Sequence, residues 1–439
     1  MEQVTLGLVG GGTVGGGVFQ ALERNGALLS LRTGYKFHVA KVVVRDLKKP
    51  RPVPIPSELL GTDWRAVVDD PAIKLVVELM GGTSTARHVV RRALEIGKPV
   101  VTANKALLSA YGEELFALAR KHQTNLYYEA SVAGGIPIIK VLREGLIGNR
   151  ITHLYGILNG TCNYILTRMK LEGLEFQEVL DEAQRLGYAE ADPSLDIDGH
   201  DAAQKAGILA SLAHGFWIRP EQVSASGIRT ITKLDIQFAG QLGYTIKLLA
   251  KVKQIDPGTG ANVRSKIQVS VSPTLVPNDH VLASVNHVFN AVFVRGDVVG
   301  DTLLYGRGAG QDATASAVLS DLADAAFDLR NGVQSRIPPF VSHERNRGIL
   351  PLADEVSPYY VRLTVIDKPG TLAKIATLLG RAKIGISSVI QPEGHVGESV
   401  PLIFMIHDAR HASMTRAMSQ IGRLSVVRAP AVMIPVEQF

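Results

Sequence analysis

The chain has a single cysteine, Cys162, in 439 residues. An intrachain disulfide is thereby excluded, and a reducing compartment fits. No apolar run approaches the length of a membrane span, so no membrane partner is expected. The start, MEQVTLGLVG, lacks a basic leader followed by an apolar stretch and enters directly into a strand pattern. These features lead to an expected location in the cytoplasm. Clustered basic residues are missing too. Net charge is +6, yet Lys and Arg are scattered and no basic block is interleaved with aromatics, which argues against nucleic acid. The basic excess reads first as a solvated surface, and an anionic small molecule is the partner to test. With 46% apolar and 20% charged residues, the composition is that of a globular protein with room for two or three domains.

What the sequence does contain begins at residue 4. VTLGLV (4–9) reads as a strand, GGGTVG (10–15) follows, and a helical pattern continues to about residue 25. This is G-x-G-x-x-G between a strand and a helix, the setting in which glycines let a backbone approach a pyrophosphate and a helix N-terminus receives it. Gly10, Gly12, Thr13, Val14 and Gly15 are the expected contacts. The second strand, 37–44, is followed by Arg45 and Asp46. A guanidinium there suits a 2′-phosphate, so NADP is favoured, while Asp46 keeps NAD in play. PRPVPIP (50–56) is a surface loop. Strands at 75–80 and 98–102 alternate with a helix at 85–96. This predicts a Rossmann-type doubly wound parallel sheet within an α/β chain. Gly81 and the 103–105 turn lie at strand C-terminal ends, where such sheets bind ligands, so Gly81, Ala103 and Lys105 join the candidates.

After a helix (112–121) and a strand (125–129) comes ASVAGGIP (130–137), leading to a helix at 138–146. The loop can hold a monovalent cation on its carbonyls, but from the residues alone a plain turn is preferred. From about 151 the pattern becomes α+β: a strand at 151–158, a polar turn at 159–163, helices at 164–172 and 176–186, a strand at 267–271, and a hairpin of 291–295 with 298–304. YGRGAG (305–310) is a second glycine-rich approach opening a helix at 314–329, where the chain returns to the cofactor domain and Gly310 nears the nucleotide. Residues 335–357 read as a linker. The remainder follows β-α-β-β-α-β, a ferredoxin-like order.

The chemistry centres on 187–205, GYAEADPSLDIDGHDAAQK, which runs into a helix apolar nearly all round. Asp201 and Lys205 lie four apart and share a face. A buried structural ion pair explains them as well as a functional site does, when this segment is taken alone.

Read together, GGGTVG, VRD (44–46), VVELMGG (76–82), VTANK (101–105), EASVAGGIP (129–137), NGTCNY (159–164), the 187–205 motif and GAG (308–310) resemble the homoserine dehydrogenases, over nearly the whole chain. DKPGTL (367–372) resembles the start of an ACT domain, an amino-acid-sensing module. The resemblance implies NAD(P)-dependent interconversion of L-aspartate 4-semialdehyde and L-homoserine, a step toward threonine and methionine. It makes Lys205 the proton donor, Asp201 the carboxylate beside the substrate, Glu190 the partner of the substrate's amino group, and Lys105 a lysine serving cofactor and substrate. It also makes the carbonyls of Glu129, Val132, Gly134 and Ile136 a sodium or potassium site, which revises the plain-turn reading. Cys162 stands where many members carry Thr. The implied organisation is a dinucleotide-binding domain (1–137 and 305–340), a catalytic and dimerisation domain (138–304), a linker (341–357) and an ACT regulatory domain (358–439). At least a homodimer is implied, with threonine as effector. Another NADP-linked reductase of a small amino or keto acid, and a non-catalytic sensor of nucleotide and amino acid, are the competing readings.

Overall fold

The computed structural model describes residues 2–255, 266–333, 335–343, 348–392 and 397–439. The chain divides into two compact units. The first comprises Met1–Leu154, Gln204–Val223 and Asn290–Asn346. The second comprises Tyr155–Ala203, Ser224–Phe289 and Arg347–Phe439.

Six parallel strands organise the first unit: β1 (Glu2–Val9), β2 (Tyr35–Val43), β3 (Leu60–Gly61), β4 (Leu75–Glu78), β5 (Val100–Thr102) and β6 (Leu126–Tyr127). Their order is β3-β2-β1-β4-β5-β6, with every pair parallel. This is the doubly wound sheet expected from the alternating strands and helices. Central β4 is buried at all four positions, as a strand covered on both faces should be. The first helix is longer than its pattern implied, Thr13–Thr33, and packs on Gln311–Arg330. That later helix follows the 305–310 turn, so the chain does return to this sheet. At Gly17 an added Cβ would sit 2.5 Å from the Gln311 side chain, so the close helix contact requires glycine. The expected helix at 138–146 instead makes one α-turn, Ile138–Lys140, then widens over Val141–Gly145, where Leu146 N–H donates to Val141 O at 2.8 Å. The expected hairpin is present as Phe289–Gly296 and Gly300–Arg307, and Asn149 Oδ1 accepts from Val298 and Val299 N–H at its turn.

In the second unit Tyr244–Ile255 pairs antiparallel with Lys266–Pro277 along twelve residues of each. Only part of the second of these strands, 267–271, was legible in the sequence. Tyr244–Ile255 carries Lys247 and Lys251 inside a nearly continuous buried run, which obscures any strand alternation. The polar turn expected at 159–163 is in fact a helix start. Asn159 caps Gly160–Glu172 by accepting from Cys162 N–H at 2.8 Å. Strands Val356–Ile366, Ile386–Ile390, Ser399–Arg410 and Val432–Pro435 form an antiparallel sheet. Numbered within this module, their order is 2-3-1-4, the ferredoxin-like arrangement. Residues Gly348–Ile349 and Leu352–Asp354, within the segment read as a linker, have regular structure, and 344–347 lie outside the described residues.

Arg362 donates to both oxygens of fully buried Asp235, at 2.7 and 3.0 Å, and Tyr360 Oη donates to Oδ1. The same carboxylate caps Lys233–Gln241 through Thr232. At the C-terminus Glu437 accepts from Lys253 and Tyr155, and Phe439 stacks on His280. The C-terminal module is thus fastened within its unit by buried, paired charges. Such pairs are costly to break singly because the remaining charge is stranded.

Candidate active site

In the first unit, β1 delivers the chain to the glycine turn. Gly10 has φ 119°, which an L side chain avoids, and its N–H donates to Val43 O at the end of β2. A Cβ on Gly15 would lie 1.9 Å from Gly10 O, so only glycine lets the helix start close over the turn. Gly12 is different. It takes an ordinary φ of −82° and an added Cβ would meet no protein atom within 4 Å. Gly10 and Gly15 are required by the fold itself, whereas Gly12 is required by nothing within the protein. An open glycine backed by the free N–H groups of Thr13 and Val14 is the surface a pyrophosphate needs. The residues present therefore fit a dinucleotide.

Arg45 stands just past β2, exposed, in a loop braced from within. Asp46 Oδ1 accepts from Lys48 N–H, and Arg51 donates to the carbonyls of Asp46 and Leu47. Asp46 is thus engaged in shaping this turn.

The ends of β4 and β5 are tied together by Glu78, a residue the sequence reading passed over. It is completely buried, and its carboxylate accepts from Thr102 Oγ1 at 2.7 Å, Met80 N–H at 2.9 Å and Asn104 Nδ2 at 3.5 Å. Burial pushes its pKa up, against those hydrogen bonds. Asn104 also donates to Gly82 O at 2.7 Å and caps the helix Lys105–Lys121 by accepting from Leu107 N–H. Gly81 and Gly82 both have positive φ. One network therefore sets the two turns holding Gly81, Ala103 and Lys105. A carboxylate inside an apolar strand, two residues before the turn it braces, was the available signal.

Lys205 lies in the helix His200–His214 and is 8% exposed. Just after that helix Trp217 packs edge-on against Phe116 of the helix that begins at Lys105, and a Cβ on Gly112 would collide with its ring at 2.2 Å. Within the first unit, the segment just after the helix carrying Lys205 thus packs on the helix that starts at Lys105.

The 129–136 loop is tightly curled. Ala133 has φ 54° and Gly134 φ 32°, and a Cβ on Gly134 would lie 2.9 Å from Gly308 O. The Glu129 carboxylate accepts from Ile139 and Lys140 N–H, and burial raises its pKa to about 7. Its side chain is committed to this helix start, leaving its carbonyl with those of Val132, Gly134 and Ile136 as candidate donors. Among the described residues no group of three or more His, Cys, Asp or Glu could hold a metal ion. Carbonyl oxygens are the donor type that suits a hard monovalent ion, and that of Ile136 already accepts from Ile138 N–H at 2.7 Å. Gly310, with φ 113°, caps the helix Gln311–Arg330.

In the second unit, Asn159 Nδ2 donates to Asp201 Oδ2 at 2.9 Å and to Asp196 Oδ1 at 2.7 Å. Asp201 is 4% exposed. Asp196, which had no role on sequence grounds, thereby shares one amide with it. Asp192 turns the chain by accepting from Ser194 N–H, and Asp198 pairs bidentately with Arg229, which holds its carboxyl below the usual range. These two acids shape the loop. Glu190 is exposed, and its carbonyl is held by Gln184.

The family model described as the homoserine dehydrogenase NAD-binding domain matches residues 10–129, and the homoserine dehydrogenase model matches 137–323. The homoserine dehydrogenase of Pseudomonas aeruginosa is 42% identical over 449 aligned positions, covering 100% of both chains. The chain belongs to the homoserine dehydrogenase family. A solved homoserine dehydrogenase from Thiobacillus denitrificans superposes with a TM-score of 0.91 at 41% identity, over 100% of this chain and 99% of that one. A hyperthermophilic archaeal homoserine dehydrogenase in complex with NADPH superposes with a TM-score of 0.61 at 27% identity, over 74% of this chain and 98% of its own. The protein is accordingly an NAD(P)-dependent oxidoreductase acting on a small molecule, and its glycine turn belongs to a nucleotide-binding domain. No helix among the described residues is long and apolar enough to cross a membrane.

Proposed function

We propose that this homoserine dehydrogenase reduces L-aspartate 4-semialdehyde to L-homoserine with NADPH, and that Lys205 gives the proton to the carbonyl oxygen. The observation carrying the assignment is the pair Asp201 and Lys205, both nearly buried and one turn apart on a single helix. Bound NADPH supplies the hydride. Lys205 stabilises negative charge on the aldehyde oxygen and protonates it, which is worth most where water is excluded. Asp201, oriented by Asn159, is the carboxylate beside the substrate. Glu190 pairs with the substrate ammonium. Lys105, at a strand end set by the Glu78–Asn104 network, provides a second cation toward cofactor and substrate. Gly10, Gly12, Thr13, Val14, Gly15, Gly81, Ala103 and Gly310 border the nucleotide.

Arg45 supports NADP over NAD, because a guanidinium binds a 2′-phosphate bidentately. In the same reading the carbonyls of Glu129, Val132, Gly134 and Ile136 hold sodium or potassium and stiffen the loop. Residues 1–137 and 305–340 bind the nucleotide. Residues 138–304 carry the substrate chemistry and dimerise. Beyond a linker at 341–357, residues 358–439 act as an ACT module that senses threonine near 367–370. The ferredoxin-like strand order and the left-handed Gly370 (φ 87°) ahead of the helix Thr371–Arg381 support that reading. A cytoplasmic location accords with the single cysteine, Cys162, being a buried thiol outside any disulfide.

The deciding experiment compares NADPH oxidation with aspartate semialdehyde and with simple aldehydes of similar size. Strong preference for the semialdehyde is expected. Equal turnover of both would favour a general reductase of small carbonyl compounds.

A further inference from the structure

In the C-terminal module the helix His411–Ile421 borders two adjoining hollows, one of about 660 Å³ toward Leu352 and Ala353 and one of about 570 Å³ toward the helix Thr371–Arg381. Both are lined by Arg416, Gln420 and Arg423. His411 and Thr415 extend the first, and Arg381 and Ser413 extend the second. No Asp or Glu lines either one. Among the described residues, none of the three arginines has a carboxylate partner. Elsewhere exposed arginines commonly find one, as Arg91 does with Glu114, Arg229 with Asp198 and Arg295 with Asp301.

We infer that this groove is a binding site for a phosphorylated small molecule carrying several negative charges. Three uncompensated guanidiniums on one face repel one another, and a multiply charged anion relieves that repulsion three times over. A singly charged ion gains far less. Guanidinium forks match phosphate oxygens two at a time, and the neighbouring hydroxyl and amide groups add neutral donors. The volumes are those of small-molecule sites. Arg381 and Arg423 also stand at or just beyond helix C-termini, where a cation is favoured for the helix's own sake. That accounts for neither Arg416 in mid-helix nor the lack of carboxylates. The site is separate from the 367–370 turn, because the helix that starts at Thr371 rises about 15 Å before Arg381. It therefore stands whether or not threonine binds that turn.

The test uses the full-length enzyme with inorganic pyrophosphate as probe, by calorimetry, in saturating NADPH so that the glycine turn is occupied. Saturable binding is expected, weakening with added salt, and at least tenfold weaker in Arg381→Ala/Arg416→Ala/Arg423→Ala. Turnover without pyrophosphate should be unchanged in that variant. If the triple variant fails to fold, Arg416→Gln alone should still weaken binding measurably. No saturable binding in NADPH-saturated enzyme, or an affinity indifferent to these substitutions, would overturn the assignment.

Discussion

Gly12→Ala separates the needs of the fold from the needs of the ligand. The added methyl meets no protein atom within 4 Å, and φ at this position is −82°. Two small stability terms oppose each other. Alanine loses less backbone entropy on folding, worth about 0.4–1 kcal/mol where its conformation is allowed. Alanine is also the poorer N-cap, by roughly the same amount. The net change should lie within about 1 kcal/mol, a shift of only a few degrees in melting temperature. Cofactor binding should respond very differently. A methyl on the turn pushes a pyrophosphate away by about 1 Å, and misplacement on that scale costs roughly 100-fold. That factor corresponds to about 3 kcal/mol. Titration of NADPH fluorescence should therefore show a Kd raised about 100-fold in a protein of wild-type melting temperature. Gly15→Ala provides the contrast. Its Cβ would be 1.9 Å from a backbone oxygen, so stability and binding should fall together. A Gly12→Ala enzyme that binds NADPH normally would refute the account of this turn.

Arg45→Ala should raise the KM for NADPH about tenfold and leave the KM for NADH nearly unchanged, the exposed side chain limiting the effect; equal effects on both would remove its role in selection. Glu78→Ala leaves Thr102, Met80 N–H and Asn104 short of an acceptor, and should cost about 2–4 kcal/mol in urea unfolding while raising KM more than it lowers kcat. Lys247 is buried beside Asn163 Oδ1, Asn286 Oδ1 and Val285 O, and burial lowers its pKa to about 7. The folded state then binds fewer protons than the unfolded one between pH 7 and about 10, so this group's contribution to stability rises with pH across that window. Lys247→Met should flatten the wild-type rise, by up to a few kcal/mol; an unchanged slope would contradict the depressed pKa.

The parallel sheet was legible because its strands are continuous apolar runs separated by helical patterns and glycine turns. Asp201 and Lys205 were legible as charges on an otherwise apolar helix. Tyr244–Ile255 was not, because its buried lysines are satisfied by partners distant in sequence: Asn163 and Val285 for Lys247, and Glu437 for the neighbouring Lys253. Asn159 was read as part of a turn because capping depends on which N–H its side chain reaches. Glu78 and Asp196 escaped for the same reason. Their importance lies in Thr102, Asn104 and Asn159, and only the folded chain brings these partners together.

The most direct test of the reaction assigned to this enzyme is the turnover of Lys205→Ala with NADPH and aspartate semialdehyde, alongside its NADPH affinity. With the proton donor gone, kcat should fall by roughly 10²–10⁴-fold while NADPH binds as in the wild type. Turnover within a fewfold of wild type would contradict the assignment of Lys205.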